Sequence, residues 1–363
     1  MSSARIKRLA ALIRLTFAAV AAALCLAVPA TAIAQEEPRR IVAIGDLHGD
    51  FEAWQRIARA AGLIDEDGNW TGGDTALVQL GDITDRGPDS LKIIRHLQEL
   101  ETAAPQSGGQ VIVLLGNHEA MNVSGDLRYV HPGEYAAFAD NRSAYRRGRA
   151  WRENRTAIEA YYASRNPPVG ADEAKDRWYA ETPLGAIEHR AKWSPGGELG
   201  QWSASRPAVV KLGGVLFVHG GLSAERGLVP VEMLNAQIAA ALAPGNEIDR
   251  TILEDPLGPL WYRGHVMRGE GDSGRVSVDD ELAQILAYHG ARRLVVGHTP
   301  SIGGIAASHD GRLIRADTGI SAHYGGPPSY LELIGGKALA HRMAKDGQWS
   351  ATALDDAKPV ISP

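Results

Sequence analysis

Six side chains of metal-ligand type stand directly after short apolar runs: Asp46 and His48, Asp82, Asn117, His219 and His298. The centre of the set is Gly81-Asp82-Ile83-Thr84-Asp85-Arg86-Gly87, preceded by Leu77-Val78-Gln79-Leu80. Two carboxylates and a guanidinium fall within five residues there. One carboxylate can bridge two metal ions, the other can orient an imidazole, and the arginine can hold phosphate oxygens. Each member alone has a plain structural explanation, since aspartates favour turns and histidines are often satisfied loop residues. Five separate strand ends carrying such groups do not.

The elements that must position them follow from the apolar pattern. Ile41-Val42-Ala43-Ile44 reads as a strand running into Gly45-Asp46-Leu47-His48-Gly49-Asp50, and Phe51, Trp54, Ile57 and Ala61 then recur at helical spacing. Leu77 to Leu80 is a second strand, followed by a helix with Leu91, Ile94, Leu97 and Leu100 on one face, capped by Asp89 or Ser90. Val111 to Leu115 is a third strand, ending in Gly116-Asn117-His118-Glu119. This is the βαβαβ organisation of a parallel sheet, which gathers strand ends into one ligand crevice.

The character changes over about 123–206, a stretch rich in tryptophan and tyrosine with the basic run Arg146-Arg147-Gly148-Arg149. It reads as a helical insertion, with helices over 133–145 and 150–165 and a further portion beyond Pro167-Pro168. The α/β pattern resumes with strands at Ala208–Lys211, Val215–Val218 and Leu294–Val296, and helices at Val231–Leu242 and Asp279–His289. Four alternating segments between Ile305 and Met343 read as antiparallel strands, and 352–363 as a loose polar tail.

With 363 residues, 44% hydrophobic and 22% charged, the chain is ordinary globular material. Its first 34 residues stand apart: Arg5, Lys7, Arg8 and Arg14, then an uncharged run from Leu15 to Val28, then Ala32-Ile33-Ala34. That order reads as a cleavable export signal, so a periplasmic or secreted protein beginning at Gln35 is expected, without a stable membrane anchor. An uncleaved N-terminal anchor is the competing reading, since the uncharged run from Leu15 to Gln35 is almost long enough to span. Loss of those four positive charges takes the net charge from −5 to −9, which disfavours nucleic acid as a partner. The only cysteine, Cys25, lies in the signal, so no disulfide is available to the mature chain.

From Ile41 to Ser321 the motifs resemble the calcineurin-like metallophosphoesterases: Gly-Asp-x-His-Gly, Gly-Asp-x-x-Asp-Arg-Gly, Gly-Asn-His-Glu, a strand into His-Gly-Gly, and Gly-His-Thr. The second and third together mark the phosphoprotein phosphatase branch. The resemblance implies a double-sheet αββα sandwich within residues 35–351. It implies Asp46, His48 and Asp82 as ligands of one metal, and Asp82, Asn117, His219 and His298 as ligands of a second. Asp82 would bridge the pair, lowering the pKa of water to give a nucleophile near neutrality. Mixed Asp/His/Asn donors suit manganese, iron or zinc. His118 follows a ligand position and is the expected general acid, with Asp85 on its far nitrogen. Arg86 and Asn117 would contact the phosphate.

Two departures narrow the branch: Leu115 replaces an arginine before Gly-Asn-His-Glu, and Arg315 to Ser321 replaces a Ser-Ala-Pro-Asn-Tyr stretch. Leu260-Trp261-Tyr262-Arg263-Gly264, Met121-Asn122-Val123 and Asp126-Leu127-Arg128-Tyr129 instead resemble the Shewanella-like phosphatases, in which Arg263 would be the second phosphate-binding arginine. The implied activity is hydrolysis of phosphate monoesters, on phosphoproteins or small esters, with phosphotyrosine preference in some members. Arg86-Gly87-Pro88 keeps a dinucleoside polyphosphate hydrolase as the alternative. A metal-retaining binding module predicts a broken clamp, yet His118, Asp85, Arg86 and Arg263 are all present. A nuclease draws support only from the basic stretch Arg146 to Arg155.

Overall fold

The computed structural model describes residues 39–245, 250–269 and 272–354. The segment expected to be an export signal, with its expected processing site, lies outside the described residues.

Strands β1 (Arg40–Ile44), β2 (Ala76–Gln79) and β3 (Gln110–Val113) pair in parallel in that order. Beyond β1, the first sheet continues antiparallel through β9 (Ser329–Ile334), β10 (Lys337–Met343) and β11 (Trp349–Ala353). The second sheet has the order β4-β5-β6-β8-β7: β4 (Val209–Leu212), β5 (Val215–Val218), β6 (Arg293–Val296), β7 (Ala306–Ser308) and β8 (Leu313–Arg315). Within it β5, β6 and β8 are parallel.

Residue alternation divides the core into layers. Ile41, Ala43, Val78 and Leu80 face Val215, Phe217, Val295 and Ile314 between the sheets. Val42, Ile44 and Leu77 on one outer face, and Leu216, Val218, Leu294 and Val296 on the other, belong to the core that the helices complete. Trp54 and Ile57 come from α1 (Phe51–Ala60), and Ile93, Ile94 and Leu97 from α2 (Ser90–Ala103). This is the expected αββα sandwich. Each fully buried aliphatic or aromatic side chain contributes about 1.5–3 kcal/mol of hydrophobic stabilisation.

After β3 comes α3 (Asn117–Ser124), and five helices fill the insertion: α4 (Pro132–Phe138), α5 (Ser143–Ala163), α6 (Ala171–Glu181), α7 (Ala186–Trp193) and α8 (Glu198–Ala204). The break falls earlier than the sequence pattern indicates. Asp140 accepts the Arg142 N–H at 2.7 Å, and the Ser143 hydroxyl accepts the Asp140 N–H at 2.9 Å, a local turn that stops one helix and starts the next. Arg146-Arg147-Gly148-Arg149 therefore lies inside α5, not between helices. Three of the arginines between Arg146 and Arg155 are paired with carboxylates, Arg146 with Asp140 and Glu188, Arg149 with Glu153, and Arg155 with Glu159, and Arg147 donates to the Tyr179 and Thr182 carbonyls. The basic patch that supported a nuclease is thus largely neutralised. At the C-terminal end, residues 352 and 353 are not loose but complete β11. Two remaining helices, α10 (Val231–Leu242) and α11 (Val278–His289), flank the second sheet after the short α9 (Ala224–Gly227).

Candidate metal centre and active site

The parallel strands of both sheets end at one edge, and hydrogen bonds stitch the two edges together. His219, just past β5, donates from Nδ1 to the Leu80 carbonyl beyond β2 at 2.8 Å. The His298 N–H, past β6, donates to both oxygens of Asp46, past β1, at 3.1 and 3.2 Å. Among the described residues seven non-glycine residues have a positive φ, and five of them are His48, Asp82, Asp85, Arg86 and His298. Backbone strain is concentrated where side chains must be aimed inward. Close approach needs glycine as well, since a Cβ at Gly116 would lie 2.2 Å from Asp82 Oδ1.

Asp82 is the hub. Its carboxylate belongs to two buried triads, with His48 and His118 on one side and His219 and His298 on the other. His48 Nε2 lies 3.9 Å from Oδ2, and His219 Nε2 lies 3.3 Å from Oδ1. His48 donates from Nδ1 to the Thr84 carbonyl at 2.9 Å, which leaves Nε2 with its lone pair toward Asp82. Metal-ligating histidines are oriented in this way, with the far nitrogen held by a carbonyl. Asn117 Oδ1 lies 2.9 Å from His219 Nε2. His298 Nε2 is buried and has no hydrogen-bond partner among the described residues. An orphaned imidazole nitrogen beside buried carboxylates fits a cation site.

The electrostatics fit too. Burial pushes the Asp46 pKa up, and the charges of Asp317 and Asp82 add to this. Burial likewise lowers His48 to about 3 and His298 to about 2, so both are neutral donors. Burial also disfavours charge on His219, yet the Asp82 and Asp46 charges overcome it and raise its pKa to about 10. Asp82 loses by burial but gains more from the facing histidines, and its pKa sits well below the ordinary carboxylate value. A group of buried carboxylates and imidazoles with such opposed tendencies accommodates divalent cations.

The acid and clamp positions also converge. His118 Nδ1 lies 2.6 Å from Asp85 Oδ2, and its Nε2 lies 3.8 Å from Asp82 Oδ2. Burial lowers the His118 pKa, but the Asp82 charge and then the Asp85 hydrogen bond and charge outweigh it, so the net shift is upward. Arg86 places Nη2 3.3 Å from His118 Nε2, and its guanidinium lies between the rings of Tyr129 and Tyr324, at 5.1 and 4.9 Å from their centroids. Half-buried Arg263 feels the charges of Asp82, Asp46 and Asp317. All the residues singled out from the sequence thus meet at one place.

Several members were not assigned from the sequence. Glu119 accepts the backbone N–H of Asp82, Ile83, Thr84 and Gly116 at 2.8–3.1 Å, bracing the Asp82 turn. Asp317, past β8, is buried beside Asp46 and Asp82, and burial chiefly raises its pKa to about 6. The signal that located the others, a polar residue just after an apolar strand, also marks Asp317. Tyr129 and Tyr324 carried no such signal.

A profile of the calcineurin-like phosphoesterases matches residues 39–301. Shewanella-like protein phosphatase 2 of Arabidopsis thaliana is 31% identical over 302 residues, covering 82% of this chain and 76% of that protein. Shewanella-like protein phosphatase 1 of Plasmodium berghei (strain Anka) is 30% identical over 324 residues, covering 84% and 74%. The crystal structure of a cold-active protein-tyrosine phosphatase from a psychrophilic Shewanella species is similar at a TM-score of 0.61, with 25% identity over 86% of this chain and 80% of that one. The chain belongs to the calcineurin-like phosphoesterase family, close to the Shewanella-like protein phosphatases.

Proposed function

We propose that the chain is a dinuclear metallophosphatase that hydrolyses phosphate monoesters on phosphoproteins, with a preference for phosphotyrosine. The observation that carries this reading is the buried carboxylate of Asp82, shared between His48 and His118 on one side and His219 and His298 on the other. Asp46, His48 and Asp82 would hold one cation, and Asp82, Asn117, His219 and His298 the other. When bound, such a pair supplies Lewis-acid polarisation and lowers the pKa of water; manganese, iron and zinc suit the donors.

The side chains supply the rest. Arg86 and Arg263 bind the phosphoryl oxygens and offset the charge that grows there. As the bond from phosphorus to the ester oxygen breaks, His118 Nε2 gives its proton to the departing oxygen. Asp85 keeps the Nδ1 proton in place at 2.6 Å and stabilises the charged ring. The rings of Tyr129 and Tyr324 on either side of Arg86 provide flat apolar walls suited to an aryl ester. A protein-tyrosine phosphatase among the similar structures agrees with that preference.

The test is a leaving-group series. His118→Asn should slow an alkyl phosphate by about 10²–10⁴-fold and para-nitrophenyl phosphate far less, with phosphotyrosine between, because nitrophenolate leaves without a proton. Equal losses on all three, with metal retained, would mean that His118 does not protonate the leaving group. A dinucleoside polyphosphate assayed beside these esters separates the alternative suggested by Arg86-Gly87-Pro88. Among the described residues no helix is long and apolar enough to cross a membrane. Export with cleavage before Gln35 is part of this proposal, and the intact mass of the exported protein tests it: retention of Met1 would show an anchor instead.

A further inference from the structure

Behind the His118–Asp85 pair lies a third buried side chain. Asn122 sits on α3 one turn beyond His118 and is completely buried. Its Nδ2 donates to Asp85 Oδ1 at 2.9 Å and to the His118 carbonyl at 3.0 Å. The other Asp85 oxygen, Oδ2, is the one 2.6 Å from His118 Nδ1. The two oxygens of Asp85 are therefore divided between the amide and the imidazole, and rotating the carboxylate breaks both contacts. An aliphatic side chain at 122 would leave Oδ1 buried without a donor, a cost that favours a turned Asp85.

The backbone that carries this amide is held from the insertion. Arg190 of α7 donates from Nη1 to the Asn122 and Val123 carbonyls at 3.2 and 3.3 Å, covering the C-terminal end of α3. Asn122 Oδ1 is buried and has no hydrogen-bond partner among the described residues. A flipped amide would aim that oxygen at the Asp85 carboxylate, so the only tolerated orientation is the one that donates.

We propose that Asn122 is a positioning residue for proton transfer: it fixes Asp85 so that His118 keeps its Nδ1 proton and presents Nε2 to the departing oxygen. Arg190 anchors this device to the helical insertion. The inference rests on His118 being the general acid, and it goes beyond that reading by assigning the acid's alignment to an amide that touches no reacting atom.

The experiment uses full-length protein with kcat, KM and metal content measured for Asn122→Leu and Asn122→Asp, each alone and combined with His118→Asn. Substrates are para-nitrophenyl phosphate, phosphotyrosine and an alkyl phosphate. The Asp variant keeps the side-chain volume while removing the donor, so it carries the test where the Leu variant folds poorly. Expected is a kcat loss of about 10–100-fold on the alkyl ester, shrinking toward the nitrophenyl ester, with KM within about twofold and metal retained. In the His118→Asn background either change should cost nothing further, because a device that aligns a missing acid has no effect. Equal losses on all esters, or a further loss in the double variants, would overturn the proposal. Absence of leaving-group dependence in His118→Asn itself would overturn the general-acid reading first, and this inference with it.

Discussion

The carboxylate of Glu119 accepts the backbone N–H of Asp82 at 3.0 Å, and so supports the residue that both histidine triads share. Asp82 has a φ of 52°, a conformation that ordinary side chains avoid, and its neighbours Ile83 and Thr84 donate to the same carboxylate at 2.8 and 3.1 Å. The buried Glu119 thus replaces the hydrogen-bonding partners that a strand would have given this turn.

Glu119→Ala should therefore destabilise the fold. Its loss orphans buried N–H groups of Asp82, Ile83, Thr84 and Gly116, each at about 1–3 kcal/mol, so a total of roughly 4 kcal/mol or more is expected. Denaturant unfolding measures it. A change below about 1 kcal/mol would show that the turn holds itself.

The pH profile carries a signed expectation for Asp85. His118 is raised above the ordinary histidine value by Asp82 and by the Asp85 hydrogen bond and charge, against burial. A raised pKa extends the protonated form of His118 to higher pH, and activity should fall as pH rises through it. Asp85→Asn removes one of the raising influences, so the alkaline limb of kcat should move to lower pH, with greater loss at pH 8 than at pH 6. An unmoved limb would detach Asp85 from the titrating group.

Arg86 and Arg263 should behave as a clamp on phosphate. Replacing either by alanine should lower kcat/KM by about 10²–10³-fold and weaken competitive inhibition by inorganic phosphate. Tyr324→Ala should produce a smaller loss of the same kind, because its ring lies 4.9 Å from the Arg86 guanidinium and helps to hold it. Unaltered phosphate inhibition in Arg263→Ala would remove that residue from the clamp.

The parallel strands and the meeting of Asp46, His48, Asp82, Asn117, His219 and His298 were legible in the sequence, because each of these residues closely follows an apolar strand, and the double sheet was legible through the family resemblance. The boundaries within the insertion were not. The expected helices, 133–145 and 150–165, leave a gap at 146–149, whereas the actual turn is made by the Asp140 and Ser143 side chains bonding to local backbone. The β11 strand was hidden by its exposure: it is an edge strand pairing with β10 alone, and of its residues only Trp349 is partly buried. Glu119 and Asn122 act on residues distant in sequence, 35 or more positions away, and no local pattern reports such contacts.

Metal binding should be linked to proton release. The pKa of His219 stands at about 10, raised by Asp82 and Asp46 against burial, so the cation-free chain carries that proton at neutrality. A ligating imidazole must lose it, and apparent affinity should rise by about tenfold per pH unit across neutrality. Titration calorimetry in buffers of different ionisation enthalpy reads the released proton directly. No buffer dependence would mean that His219 does not become a ligand.

The account turns on Asp82, and metal content per chain tests it most directly. Elemental analysis of purified protein saturated with manganese, iron or zinc should find two ions in the unmodified chain and close to none in Asp82→Asn, since the bridging charge holds both triads to one centre. Two ions still bound by a folded Asp82→Asn chain would contradict the shared-carboxylate centre.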